Sequence, residues 1–290
     1  MRGEIVRTYA EDNLGLQGML CRPRSATPRL ALHVHGSYGN FYENLFLDNV
    51  ADAYAASGTA FLPVNTRGHD YYADLKMKRP EGGYDSRRVG GILEQFRDCL
   101  LDIRAWIDFA QSQGFTTVLL QGHSLGAMKA AYYCSQTGDA RVKALFLISP
   151  PDILGTVRKS FDRDIIRRLA LAEELAARNP DLLMPDGTSY DPISAGNYLS
   201  LYDDPEIAGM FSFPNKPNSI LSSLALPVHA AIGQKDEYIT RDAEELMGLL
   251  GQSVGSAPQF TGRVIRDANH VYDDREGKLG SVLADWASRY

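Results

Sequence analysis

The residues best suited to chemistry are a serine, an aspartate and a histidine set far apart along the chain. Ser124 stands in Gly122-His123-Ser124-Leu125-Gly126, directly after the apolar run TVLLQ. Glycines two places either side of a serine disfavour helix and strand interiors alike. They suit a strand that turns sharply into a helix and holds one side chain out on a strained corner, the G-x-S-x-G pattern. A serine hydroxyl is a weak nucleophile until a histidine takes its proton and an acid orients that histidine. Asp236, in AAIGQKDEYIT, and His270, in VIRDANHVYDD, each follow a run that reads as a strand. The plainer alternative for Ser124 alone is a glycine-flanked helix N-cap, which needs no partner elsewhere.

The flanking elements decide whether three such residues can meet. EIVRTYA (4–10) and GLQGMLCRP (15–23) read as an opening antiparallel hairpin. LALHVHG (30–36), TAFLPVN (59–65), TVLLQGH (117–123), VKALFLIS (142–149), PVHAAIG (227–233) and FTGRVIRD (260–267) follow. Several are almost continuously apolar, as strands covered on both faces must be. Helical spacing lies between them: over 92–114, Phe96, Leu100, Ile103, Trp106, Ile107 and Ala110 form one stripe that Gly114 stops. Strands alternating with helices predict a doubly wound, mostly parallel sheet. Ligand sites in such sheets form beyond the carboxyl ends of the strands, where Ser124, Asp236 and His270 all project. Their order, Ser…Asp…His, is the one given for this kind of fold.

The stretch between Ser149 and Pro227 is far longer than one crossover helix requires. It holds an amphipathic pattern, FDRDIIRRLALAEELAARN (161–179), then a Pro- and Tyr-rich segment (180–206). This insertion reads as a lid over the substrate or as structural elaboration. Tyr190, Tyr198, Leu199 and Tyr202 combine apolar surface with hydroxyl handles, a make-up suited to a ligand-facing wall. Tyr198 and Tyr202 are four apart and share a helical face. The alternative is that these tyrosines anchor the insertion to the main domain.

The chain has 290 residues, 44% hydrophobic and 23% charged, enough for one large α/β domain. A formal net charge of −6 argues against nucleic acid or an anionic membrane as partner. Cys21, Cys99 and Cys134 lack C-x-x-C spacing, so neither a disulfide framework nor a zinc site is suggested. There is no apolar leader pattern and no membrane-spanning run, and the protein reads as cytoplasmic. Scattered histidines without H-E-x-x-H, and EGGYDSRRVGG (81–91) without P-loop spacing, imply no metal and no organic cofactor. That glycine-rich stretch reads as a mobile loop near the site.

Together, HGSYGN (35–40), NTRGHD (65–70), GHSLG (122–126), GQKDEYI (233–239) and NHVY (269–272) resemble the α/β-hydrolase superfamily over essentially the whole chain. With SPPD and the insertion, the set looks most like serine esterase-type members, including a branch with fungal siderophore esterases. The resemblance implies an α/β-hydrolase fold, with a core of residues 1–150 and 223–290 and a lid of 151–222. Its sheet would have about eight strands, mostly parallel. The resemblance also implies Ser124 as nucleophile, His270 as general base and acid, and Asp236 as orienter of the imidazole. Backbone N–H groups of Leu125 and of Ser37, with Tyr38 close behind, would form the oxyanion hole. Tyr38, Tyr198 and Tyr202 are the candidate substrate contacts.

Other polar residues take plainer readings. His35 and His123 read as packed histidines, and Arg67 as a tie between loops. Asp267 and Asp273 read as solvated carboxylates, and Asp152 is the competitor for the acid. The expected reaction is hydrolysis of a small-molecule carboxylic ester through an acyl-enzyme on Ser124. Cleavage of a carbon–carbon bond, thioester or lactone would use the same residues, and HGSYG is also similar to the oxyanion loop of carbon–carbon hydrolases. A receptor of this fold with little turnover can retain all three residues.

Overall fold

The chain opens on an antiparallel hairpin of β1 (Glu4–Tyr9) and β2 (Gly15–Leu20) and then alternates strand and helix. The computed structural model describes residues 1–160, 164–189, 191–213 and 217–290. β3 (Arg29–Val34), α1 (Phe46–Ala56) and β4 (Ala60–Val64) lead to a second hairpin, β5 (Ala73–Lys78) and β6 (Tyr84–Val89). α2 (Cys99–Ser112), β7 (Thr117–His123), α3 (Leu125–Thr137) and β8 (Val142–Ile148) follow. Five helices lie before the next strand: α4 (Ile153–Ser160), α5 (Ile165–Arg178), α6 (Ala195–Tyr202), α7 (Pro205–Ala208) and α8 (Ser219–Ser222). β9 (Val228–Gly233), α9 (Ala243–Ser253), β10 (Phe260–Ile265) and α10 (Glu276–Ala287) close the chain.

Eight strands form one sheet in the order β1-β2-β4-β3-β7-β8-β9-β10. β1, β2 and β4 pair antiparallel, and every pairing from β4 to β10 is parallel. This is the α/β-hydrolase fold the sequence predicts. The register matters for the site. Val34 lies opposite Gly122, His123 opposite Ile148, Ile148 opposite Ala231, and Gly233 opposite Ile265. The loops after β3, β7, β8, β9 and β10 therefore leave one edge side by side.

Alternate residues of the central strands point to opposite faces. Ala31, Leu119, Phe146 and Ala231 meet Phe46, Tyr54, Leu283 and Trp286 of α1 and α10 on one face. Leu32, Leu120, Leu147 and Ala230 meet Trp106, Met128 and Leu246 of α2, α3 and α9 on the other. Each fully buried large apolar side chain contributes about 1.5–3 kcal/mol, so both layers hold the sheet rigid beneath the site. Lys129 of α3, itself fully buried, bonds Glu94 at 2.6 and 2.8 Å and ties the elbow helix to the segment before α2. Among the described residues no helix is long and apolar enough to cross a membrane.

Two local expectations need correction. Residues 81–91 are not a mobile loop, because Tyr84–Val89 pairs in register with Ala73–Lys78. Only Leu75 and Val89 of this hairpin are buried, so it lacks the apolar alternation that marks a strand; ion pairs such as Arg88–Asp74 line it instead. The helix expected from residue 92 begins at Cys99, after a single tight turn at Phe96–Asp98. The helical pattern expected over 161–179 corresponds to Ile165–Arg178; residues 161–163 lie outside the described residues.

Candidate active site

Ser124 sits between the end of β7 and the start of α3 with φ 55° and ψ −126°. A positive φ in a residue with a side chain costs on the order of 1–3 kcal/mol and persists only where the surroundings over-determine it. The two glycines show how. A Cβ on Gly122 would fall 2.0 Å from the carbonyl oxygen of Gly126, and one on Gly126 would fall 2.2 Å from that of Val34. Only glycine lets strand, elbow and helix approach this closely.

The loop after β3 lies against the same serine. A Cβ on Gly36 would fall 2.9 Å from Ser124 Cβ and 3.4 Å from its Oγ. Gly39 N–H donates to Gly36 O at 3.2 Å, and Tyr38 takes φ 53°, so residues 36–39 form a tight turn beside Ser124. His35 anchors that turn. Its Nε2 accepts from Thr66 N–H at 3.1 Å, which leaves the proton on Nδ1 to donate to Gly36 O at 2.7 Å. Burial, then the Lys129 charge, hold its pKa well below the ordinary histidine value, so His35 is a neutral structural part.

On the other side, Asp236 and His270 meet. Asp236 N–H closes the turn after β9 onto Gly233 O at 3.2 Å, and His270 lies in the loop after β10. His270 Nδ1 is 2.8 Å from Asp236 Oδ1. A carboxylate only accepts, so Nδ1 carries the proton and Nε2 of the neutral ring is free to accept one. Burial pushes the Asp236 carboxyl up, but the His270 hydrogen bond and charge and the Tyr238 N–H outweigh it, and the net pKa is below the usual carboxylate range. Glu237 accepts from His270 N–H at 2.9 Å, and the Tyr238 ring packs on the imidazole with centroids 4.5 Å apart. Ser149, at φ 45° beyond β8, donates to Tyr272 Oη at 2.9 Å.

Asp152 is engaged elsewhere. It accepts from Gly155 N–H at 2.8 Å and from the hydroxyls of Ser212 and Thr240, tying the inserted helices to the loop after β9. Arg67 is buried and bonds Asp102 at 2.8 Å, Asp12 at 2.9 Å and Asp98 at 3.0 Å, a tie between loops. Asp267 is paired with Lys235 at the surface. Among the described residues no group of three or more His, Cys, Asp or Glu is placed to hold a metal ion. The three cysteines are buried and unpaired.

A cavity of about 240 Å³ brings Ser124, Leu125, Ser37, Tyr38, His270 and Tyr202 together. Tyr198 is not brought to its wall: it is fully buried and packs behind Tyr202, ring centroids 4.6 Å apart. Both lie on one face of α6, and only Tyr202 reaches the cavity. Tyr190 lies outside the described residues. Sequence reasoning missed Ser149, Glu237 and Asp191 as neighbours of the site. A serine at the end of the β8 run and an acid beside Asp236 were the only signals for the first two; Asp191 had none.

An eight-stranded sheet with a glycine-flanked serine at its carboxyl edge, opening onto one cavity with a carboxylate-bound histidine, defines a class. The chain belongs to the alpha/beta hydrolase family, whose model matches residues 31–277. No curated protein matches by sequence. Est1E from Butyrivibrio proteoclasticus, solved with ferulic acid bound, is similar in structure at 17% identity and TM-score 0.64, covering 96% of each chain. The esterase domain of a Rhodothermus marinus protein is similar at 18% identity and TM-score 0.63, over 100% of this chain and 99% of that one. The Pyrococcus furiosus esterase Pf2001 is similar at 16% identity and TM-score 0.61, over 100% and 93%.

Proposed function

We propose that the protein hydrolyses carboxylic esters of small molecules through an acyl-enzyme on Ser124. The observation that carries this reading is that Ser124, on its strained corner, and His270, bonded to Asp236, open onto one cavity. The esterase neighbours support the same reading.

His270 Nε2 takes the Ser124 proton as Oγ attacks the acyl carbon. The Asp236 carboxylate steadies the imidazolium that forms. Negative charge develops on the former carbonyl oxygen, and backbone N–H groups of Leu125 and of Ser37 or Tyr38 stabilise it. Leu125 opens α3, where helix amides lack intrahelical partners, and the 36–39 turn presses against Ser124. Losing one such donor typically costs about 2.7–4 kcal/mol in the transition state. The imidazolium then protonates the departing alcohol, and water attacks the acyl-enzyme by the same route in reverse. In this reading the helices between β8 and β9 cover the site as a lid, since Ile153, Val157, Leu201 and Tyr202 line the cavity.

Turnover of nitrophenyl esters of increasing acyl length, with thioesters and lactones beside them, tests the proposal. The expected result is ester hydrolysis that Ser124→Ala abolishes. Full turnover by Ser124→Ala would overturn it, and a strong preference for thioesters or lactones would move the bond class.

A further inference from the structure

Resting on the ester-hydrolase reading, we propose that the cavity takes small uncharged or cationic esters and rejects esters bearing a carboxylate, with Asp191 as the residue that sets this preference. The cavity's 240 Å³ lies below the roughly 300–1,000 Å³ of clefts for drug-sized ligands, so a charge on a small substrate sits close to the groups of the wall, half-buried Asp191 among them. Its walls at Ile153, Val157, Ile193 and Leu201 are apolar. Among the described residues no lysine or arginine lines it, and the only carboxylate that does is Asp191.

Asp191 is built in rather than left to wander. Tyr71 Oη donates to its Oδ1 at 2.9 Å. The Tyr71 ring stacks on Tyr38, centroids 4.8 Å apart and planes at 25°. Tyr38 Oη donates to the carbonyl of Pro192, the next residue, at 2.9 Å. Two tyrosines from the core loops thus hold the 191–192 backbone and one carboxylate oxygen. Oδ2 has no hydrogen bond among the described residues and is available to a ligand. Arg168 of α5 interacts with Tyr198 and Tyr202 but does not line the cavity, so it gives an incoming anion no contact. An anionic substrate would meet a like charge in the wall and no cation in contact with it. An ammonium or amide N–H would find an acceptor.

The test is a matched trio of para-carbamoylmethyl-, para-carboxymethyl- and para-aminoethyl-phenyl butanoates, alike in size and leaving group. The wild type should favour the amide and amine esters over the carboxylate ester by at least about tenfold in kcat/KM, a gap that added salt narrows. Asp191→Asn, with Asp191→Ser as a second variant, should bring the carboxylate-to-amide ratio to within about threefold of one. Equal rates for carboxylate and amide esters in the wild type, or an unchanged ratio in a folded Asp191 variant, would overturn the proposal. Calorimetric binding of the corresponding non-hydrolysable ketones separates the two readings. If no ester is turned over but the ketones keep this ranking, the hydrolase reading falls and the charge preference stands. If esters are turned over and the ranking is flat, the reverse holds.

Discussion

His123 Nε2 donates to the main-chain carbonyl of His270 at 2.9 Å, and the two rings pack with centroids 4.8 Å apart. The residue beside the elbow serine therefore holds the backbone of the histidine across the site. Burial, then the His270 charge, lower the His123 pKa to about 3, so the ring is neutral and its single proton is committed to that carbonyl. His123→Phe fills the space but leaves a buried acceptor unpaired, at about 1–3 kcal/mol. The variant should lose thermal stability and slow acylation, measured by stopped flow, by about tenfold or more, that energy being of the size that shifts a rate so far. His123→Gln, which keeps a donor, should recover part of both. Wild-type acylation in a folded His123→Phe would show that the carbonyl contact does not position His270.

The two aspartates should separate cleanly. Asp236→Asn replaces a charged, acceptor-only group with a neutral amide that no longer enforces the His270 tautomer or steadies the imidazolium, and should lower kcat by about 10³–10⁴-fold with little change in melting temperature. Asp152→Asn weakens the ties to Ser212 and Thr240, and should lower stability by about 1–3 kcal/mol while costing far less in kcat. Parallel kinetics and thermal melts check this. The reverse ranking would assign the acid to position 152.

Gly36 is a steric test of the turn beside the nucleophile. In Gly36→Ala the new methyl would fall 2.9 Å from Ser124 Cβ, so the turn or the serine must shift. Overpacking of this kind costs about 1–3 kcal/mol, and a displaced donor should cost about a hundredfold in kcat. Comparing kcat with the melting temperature distinguishes a moved oxyanion site from general unfolding.

Acid should unfold the protein through its buried histidines. Burial lowers the pKa of His33 and His123 to about 3 and of His229 to about 4, and holds His35 lower than its ordinary value as well. Because the unfolded chain binds these protons near pH 6.5 and the folded one does not, stability is full above that pH and falls as pH drops. The loss continues toward the folded values, at about 1.4 kcal/mol per pH unit for each group. Denaturant melts from pH 7.5 to 5 should show a decline of several kcal/mol, the sum of such terms. A flat profile would mean that these rings are protonated in the fold.

How much of this was legible in the sequence follows from what kind of constraint each part obeys. The strands of the sheet were readable because burial on both faces forces continuous apolar runs such as TVLLQ and VKALFLI. The elbow was readable because a Cβ on Gly122 or Gly126 would fall 2.0 or 2.2 Å from a backbone oxygen, which only glycine avoids. The β5–β6 hairpin was not, since polar cross-strand pairs rather than burial hold it. Nor was the difference between Tyr198 and Tyr202, which share a helical face and are sorted only by tertiary packing, Tyr198 buried behind Tyr202 at the cavity. Asp191 is placed by Tyr71 and Tyr38, more than a hundred residues earlier, and no local pattern marks it.

The central claim is a covalent acyl-enzyme on Ser124, and trapping it tests that claim most directly. Protein quenched in acid within the first turnovers of nitrophenyl acetate should show a burst of nitrophenol equal to the number of sites. Its digest should carry one acetyl group on the peptide containing Ser124, and Ser124→Ala should show neither. A burst without acetyl at Ser124, or the same adduct and turnover in Ser124→Ala, would contradict the account.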